Sequence, residues 1–220
     1  MRTVLTPILL IVGLASIAQG ALLSEADLGN LLAAIRKNRI TQADFQEQRM
    51  IHLMRKPVVN FGKVWFQPPN KFRREVKGGS PSLTVSDGHQ LWIYYPNFKS
   101  AERYPLGKGS PLDSTVAAIN SSLNLEDVEN SFQISATKID SAATGYELTL
   151  SPRTAAMKRV FQKLDLEINE QLRVERTEML LPNGDRIVTS YSNQTRERVP
   201  ASMFEFRPPA GTEVSTPLGK

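Results

Sequence analysis

Apolar residues recur along this chain at two spacings, and the switch from one to the other divides it into elements. Over residues 24–38 they fall at Leu28, Leu31, Leu32 and Ile35, the i, i+3, i+4, i+7 pattern of one helical face. Ser24 can cap the first turn, with Asp27 three positions on, so the segment predicts an amphipathic helix. From Thr41 the period falls to two. Residues 41–53 alternate with Ala43, Phe45, Ile51 and Leu53 on one side, and strand patterns follow at 58–66, 72–76, 83–85, 91–95 and 99–104. Asp87-Gly88 and Asn183-Gly184 sit between apolar segments, where they supply the positive φ angles of tight antiparallel hairpins. After Pro111 a short helical insert is predicted at 115–119, capped by Asp113 or Ser114, with a further turn at 125–128. Strand patterns resume at 131–139, 145–150, 160–168, 172–179 and 186–192, and Phe204-Glu205-Phe206-Arg207-Pro208-Pro209 reads as a strand end stopped by prolines.

The expectation is a mainly β, α+β fold with about eleven strands, one N-terminal helix and one helical insert. Each strand is amphipathic rather than wholly apolar, and the helices are few. A sheet with one wet face must bury the other. Partial closure around its own interior meets that need: a single unclosed antiparallel barrel, with the helices forming a lid over an apolar cavity.

The first twenty residues read as an address. Arg2 precedes the apolar run Ile8-Leu9-Leu10-Ile11-Val12-Gly13-Leu14, and the small residues Ala18 and Gly20 suit cleavage before Ala21. That is the layout of a signal peptide, with an apolar core too short for a bilayer span of about 20 residues. The expected organisation is therefore a signal peptide at 1–20 and one exported domain at 21–220. The formal charge of the 220-residue chain is +5, and losing the leader with Arg2 lowers it to +4. This mild excess is interleaved with acids and forms no nucleic-acid footprint.

The chain has no cysteine, which excludes disulfides, thiol catalysis, cysteine-held metal and an acylated lipobox. His52 and His89 have neither ligand spacing nor a nucleophile motif beside them, and Glu126-Asp127 reads as surface charge rather than an acid/base pair. Gly78-Gly79 and Gly107-Lys108-Gly109-Ser110 lack the length and context of a phosphate loop. The sequons at Asn120 and Asn193 read as ordinary loop or strand residues. No catalytic residue, metal or cofactor is expected.

Several motifs, taken in order, resemble the LolA family of periplasmic lipoprotein carriers. They are Asp44-Phe45-Gln46-Glu47-Gln48; Gly62-Lys63-Val64-Trp65-Phe66 followed by Pro69-Asn70-Lys71-Phe72-Arg73; Val85-Ser86-Asp87-Gly88-His89-Gln90-Leu91-Trp92-Ile93-Tyr94; and Phe204-Glu205-Phe206-Arg207-Pro208-Pro209-Ala210-Gly211. The resemblance implies a monomeric carrier that takes lipoprotein acyl chains from an inner-membrane transporter to an outer-membrane acceptor without covalent chemistry. It also implies that Phe72, in the Pro-Asn-x-Phe segment, docks the transporter. Family members have an arginine before the Pro-Asn pair that latches the lid, whereas this chain has Pro68. Proline has no donor, and Arg73 and Arg74 are the nearest arginines. Strand alternation divides the apolar strand residues between two faces without saying which is concave; the expected cavity takes Trp65, Phe72, Leu91, Ile93 and Tyr95, with Phe45 beside them and Leu28, Leu32 and Ile35 from the helix. Two alternatives are a module that senses lipid without carrying it, and a carrier of another envelope lipid.

Overall fold

The computed structural model of the protein describes residues 20–107, 125, 128–139 and 145–217. The predicted leader up to residue 19, the insert at 115–119, residues 108–110, Glu126-Asp127 and the Asn120 sequon lie outside them. Helix α1 (Glu25–Lys37) forms where the stripe placed it: Ser24 accepts from the Asp27 amide at 3.2 Å, and Leu31, Leu32 and Ile35 are buried. Acids fill its first turn and bases its last, opposing the helix dipole.

The strands are β1 (Gln42–Met50), β2 (Val58–Gln67), β3 (Lys71–Lys77), β4 (Ser82–Ser86), β5 (Gln90–Tyr95), β6 (Ser100–Pro105), β7 (Phe132–Ile139), β8 (Gly145–Pro152), β9 (Lys163–Ile168), β10 (Val174–Leu180), β11 (Arg186–Thr195) and β12 (Glu213–Ser215). They make one twelve-stranded sheet, ordered β12-β6-β5-β4-β3-β2-β1-β11-β10-β9-β8-β7. All pairings are antiparallel hairpin neighbours except β1 on β11, which joins the two halves, and β12 on β6, which is parallel. Two short helices, α2 (Val128–Ser131) and α3 (Ala155–Lys158), complete the elements that position the core.

The sheet does not close, and each edge is covered by a terminal segment. Residues 21–23 run along β7, with the Leu23 amide donating to the Ala136 carbonyl at 2.8 Å and Leu22 bridging Thr137. β12 lies on β6 at the other edge. Covering exposed edges in this way removes a template for aggregation. The sheet must also be strongly curved. Buried residues of β5 and of β8 share one core cluster with α1, although these strands stand eight places apart in the order, about 38 Å in a flat sheet at the usual strand spacing.

Three expectations need correction. The first strand ends at Met50, and Leu53 lies in the following turn, 91% exposed. The segment around Phe204 is a 3-10 turn (Ala201–Phe204) followed by extended chain, not a strand. The strand count is twelve, because the three-residue β12 is too short to announce itself by alternation.

Candidate functional site

The register decides which face of each strand looks toward α1. Phe45 pairs with Gly62, Val64 with Arg74, Phe66 with Phe72, Ser86 with Leu91 and Ile93 with Glu102. Residues paired directly across strands share a face. The inner face therefore carries Ala43, Phe45 and Glu47 on β1, Val64 and Phe66 on β2, Phe72, Arg74 and Val76 on β3, and Leu91, Ile93 and Tyr95 on β5.

Of the residues expected in the cavity, Phe45, Phe72 and Leu91 are buried on this face; Ile93 and Tyr95 are half-buried on it; Leu32 and Ile35 face it from α1, with Leu28 packed at its margin. Trp65 does not join them. It pairs with Arg73 and points to the outer face, where Lys63 Nζ stands 5.7 Å from its ring centre. The inward residues at that point are its neighbours Val64 and Phe66. Phe72, implied as a docking residue, is 1% exposed, so its ring is a wall of the core and not a surface contact.

The inner wall changes character along the sheet. On β7 to β9 it is dry and filled: Phe132, Leu148, Leu150, Leu164 and Leu166 are fully buried, with Met157 and Phe161 packed against them. On β4 to β6 it is half-open and mixed. β4 turns only hydroxyls inward, at Ser82, Thr84 and Ser86, while β5 contributes Ile93 and Tyr95 and β6 contributes Glu102 and Tyr104. Tyr104 donates to Glu102 Oε2 at 2.7 Å. Burial, then that bond and the adjacent carboxylate, push the Tyr104 phenol up to about 12; burial and Glu102 raise Tyr95 as well. Nearby on the same face Arg74 pairs with Glu47 at 2.7 Å and stacks on Phe45, 4.3 Å from the ring centre. Arg73, by contrast, points outward, to Glu75 and the Met203 carbonyl. Only Arg74 of the two arginines is on the side where a lid contact could form.

α1 is tied to the chain beyond β6 by its last turn. Arg36 donates to the Leu125 carbonyl at 3.1 Å and pairs with Glu129 of α2. Burial pushes the Glu129 carboxyl up, but the hydrogen bond and charge of Arg36 outweigh it and hold the group below its ordinary 4.5.

The outer face of β5 is also covered. Phe206 packs on Trp92 at 5.6 Å and Tyr94 at 5.5 Å, and the 3-10 turn that ends in the buried Phe204 lies beside β3, where Arg73 donates to the Met203 carbonyl. This second apolar layer explains why Leu83, Val85, Trp92 and Tyr94 face away from α1. Sequence reasoning missed it, and the signal available was the Phe-x-Phe spacing at 204–206. It also missed the filled wall of β7 to β9, whose strands are no more apolar than the others: β9 alternates Leu164, Leu166 and Ile168 with charged residues, whereas β5 is apolar at five of its six positions.

The Pro-Asn and Asp-Gly motifs form one clasp at the far rim. The peptide between Pro68 and Pro69 is cis. Asn70 Nδ2 donates to the Gly88 carbonyl at 3.1 Å, and Ser86 Oγ donates to the Asn70 carbonyl at 2.9 Å. Asp87 accepts from the His89 and Gln90 amides, both at 2.7 Å. Gly88 has φ +93°, and a Cβ there would lie 2.5 Å from Asn70 Oδ1. Both positive φ and close approach call for glycine at this point. His89 is an exposed hairpin residue, and His52 makes its bond through its backbone amide to Asp185 at 2.8 Å. Among the described residues no group of three His, Asp or Glu side chains is placed to hold a metal. What the inner face offers is adaptable apolar area with a few fixed polar groups, suited to binding by burial.

Residues 36–207 match the family described as outer membrane lipoprotein carrier protein LolA. A protein of Dechloromonas aromatica named outer-membrane lipoprotein carrier protein is 28% identical, over 82% of this chain and 83% of its own length. One of the same name from Coxiella burnetii is 24% identical over 89% and 90%. Among solved structures, an uncharacterized conserved protein of Thermus thermophilus covers 86% of this chain and 99% of its own at 16% identity with a TM-score of 0.53. That likeness concerns the fold.

Proposed function

The chain belongs to the LolA family of outer membrane lipoprotein carrier proteins, and from that membership we propose that it carries acyl chains between the two membranes of an envelope. In this reading residues 1–20 are removed on export to the periplasm. The mature protein then takes lipoprotein acyl chains from an inner-membrane transporter and yields them to an outer-membrane acceptor.

The observation that supports this best is the half-open inner face of β5, where Ile93 and Tyr95 extend the buried surface of Phe72 and Leu91 toward solvent. An acyl chain of 16 carbons gains on the order of 12 kcal/mol from burial at about 0.8 kcal/mol per CH₂. A carrier must nearly match that and no more. A wall of apolar and hydroxyl groups, with no directional ligand for the tail, gives such a match. The acyl tail lies along β5 beneath α1, and its polar end faces the Glu47–Arg74 pair and the Glu102–Tyr104 pair.

The test is release of a triacylated lipoprotein from inner-membrane vesicles. The natural chain is expected to bring it into the soluble fraction and Ile93→Glu is expected to lose that activity with an unchanged melting temperature. Release by Ile93→Glu and Tyr95→Glu at the natural rate would overturn the placement of the tail on β5.

A further inference from the structure

The antiparallel register brings three turns to one end of the sheet: residues 51–57 between β1 and β2, 78–81 between β3 and β4, and 96–99 between β5 and β6. Asn97 Nδ2 reaches the Gly79 carbonyl at 3.4 Å, tying the second and third together. The first and third each display large apolar side chains to solvent. Leu53 is 91% exposed and Met54 53%, while Phe98 is 80% exposed. The first also stands proud of its neighbours: the β2 ladder to β3 stops at Phe61, opposite Lys77, so residues 58–60 pair with β1 alone. That overhang is about 10 Å at the usual rise per residue.

Each apolar tip is followed directly by base. Arg55 and Lys56 come after Leu53-Met54, and Lys99 comes after Phe98, with Lys77 ending the strand between them. No acidic residue occurs in the chain between Glu47 and Glu75. The acid nearest this hairpin in the fold, Asp185, accepts from the His52 amide and from Asn183. We propose that this rim is a docking surface for an anionic lipid bilayer, with Leu53, Met54 and Phe98 entering the headgroup boundary and the adjoining Lys and Arg held at the phosphates.

A bilayer fits the arrangement better than a protein does. The apolar groups stand on separate tips, Leu53 and Met54 with the exposed Val58 and Val59 of the overhang and Phe61 at its base on one, and Phe98 on the other. The tips are about 19 Å apart across four strand spacings, with Gly78-Gly79-Ser80 between them. A protein partner needs a continuous patch of about 800 Å². Membrane interfaces accept separated apolar anchors, and they favour Lys and Arg beside them because those side chains reach back to the headgroups. This inference goes beyond the carrier reading and needs no cargo.

Absence of cysteine from the chain permits a clean experiment. The full-length chain is produced with export and recovered from the periplasm as Leu53→Cys, Phe98→Cys or His89→Cys. Each is labelled with an environment-sensitive fluorophore and mixed with vesicles of phosphatidylcholine, with or without phosphatidylglycerol. His89 is exposed at the opposite rim. Labels at 53 and 98 are expected to report an apolar surrounding on the anionic vesicles while the label at 89 does not. The unlabelled Leu53→Ser/Met54→Ser variant is expected to bind those vesicles at least tenfold more weakly, because each side chain contributes that much by burial. Arg55→Gln/Lys56→Gln is expected to lose the preference for phosphatidylglycerol. Silence of both labels, or unchanged binding by the Leu53→Ser/Met54→Ser variant, would overturn the proposal and would leave the carrier reading standing. An acidic protein partner at this rim would give that silence.

Discussion

The inner walls of β7 to β9 and of β4 to β6 are built by the same hairpin rule and end in opposite states. On β8 and β9 the inward positions include Leu148, Leu150, Leu164, Leu166 and Ile168, all buried, and Met157 and Phe161 fill what the strands leave. On β4 the apolar residues Leu83 and Val85 occupy the opposite parity, and serines and a threonine face in. The hydrophobic side of β4 is therefore spent on the outer face, beside the Trp92 and Tyr94 on which Phe206 packs. An inner wall deprived of that apolar surface cannot drive complete packing above it. The proposed acyl recess needs no special element, only one strand whose alternation runs the other way.

The sharpest way to break this comparison is to truncate one residue in each wall. Leu166→Ala removes a side chain with no exposed surface, and it is expected to cost about 2–5 kcal/mol in urea denaturation, the range for cavities that surroundings cannot fill. Ile93→Ala, on the half-open wall, is expected to cost no more than about 1 kcal/mol, while weakening lipoprotein release. Equal stability losses would mean that β5 is packed as firmly as β9, and the proposed acyl site would lose its room.

How far the sequence discloses these walls can be argued from single residues. The helix at α1, its Ser24 cap, the order of hairpins and the outlines of most strands follow from periodicity and turn chemistry. Alternation also separates Trp92 and Tyr94 from Leu91, Ile93 and Tyr95. It does not say which set faces in, because both sets are apolar and both faces of this sheet are covered. The expectation of Trp65 inside fails for that reason: the pairing of Phe45 with Gly62 turns Val64 and Phe66 inward instead. Parity fails outright where a strand bulges: the irregularity between Val174 and Arg176 leaves both Val174 and Thr177 buried although they are an odd three positions apart. β12 and the segments at residues 21–23 are extended only because an edge strand offers them partners, which no local pattern records.

A smaller effect sharpens the comparison from the side of the open wall. Gly62 lies on β2 opposite Phe45 of β1 and Val76 of β3, and a Cβ there would meet the Glu75 carbonyl oxygen at 1.8 Å and the Phe45 ring at 2.9 Å. Because the first obstacle is backbone, the ring cannot relieve it by changing rotamer. Gly62→Ala is expected to destabilise by about 1–3 kcal/mol, as overpacking does, seen as a lower denaturation midpoint. No loss would mean that the strands can part at this point, and that the wall beside Phe45 is softer than its burial indicates.

The smallest expected effect is alkaline. The Tyr104 phenol ordinarily ionises at 10.0 and is raised to about 12 by burial first and by Glu102 second. Between those values the folded chain holds a proton that the unfolded chain has released, so stability falls as pH rises through that window and is unaffected below it. Tyr104→Phe removes the titrating group and is expected to flatten part of the decline in denaturation midpoint above pH 10. Glu102→Gln is expected to flatten less, because burial remains when the carboxylate is gone. The buried side chains of the β7 to β9 wall are apolar, so a decline that both variants leave intact would place the alkaline sensitivity elsewhere. It would also take from the open wall the half-buried phenol and carboxylate pair that distinguishes it from the dry one.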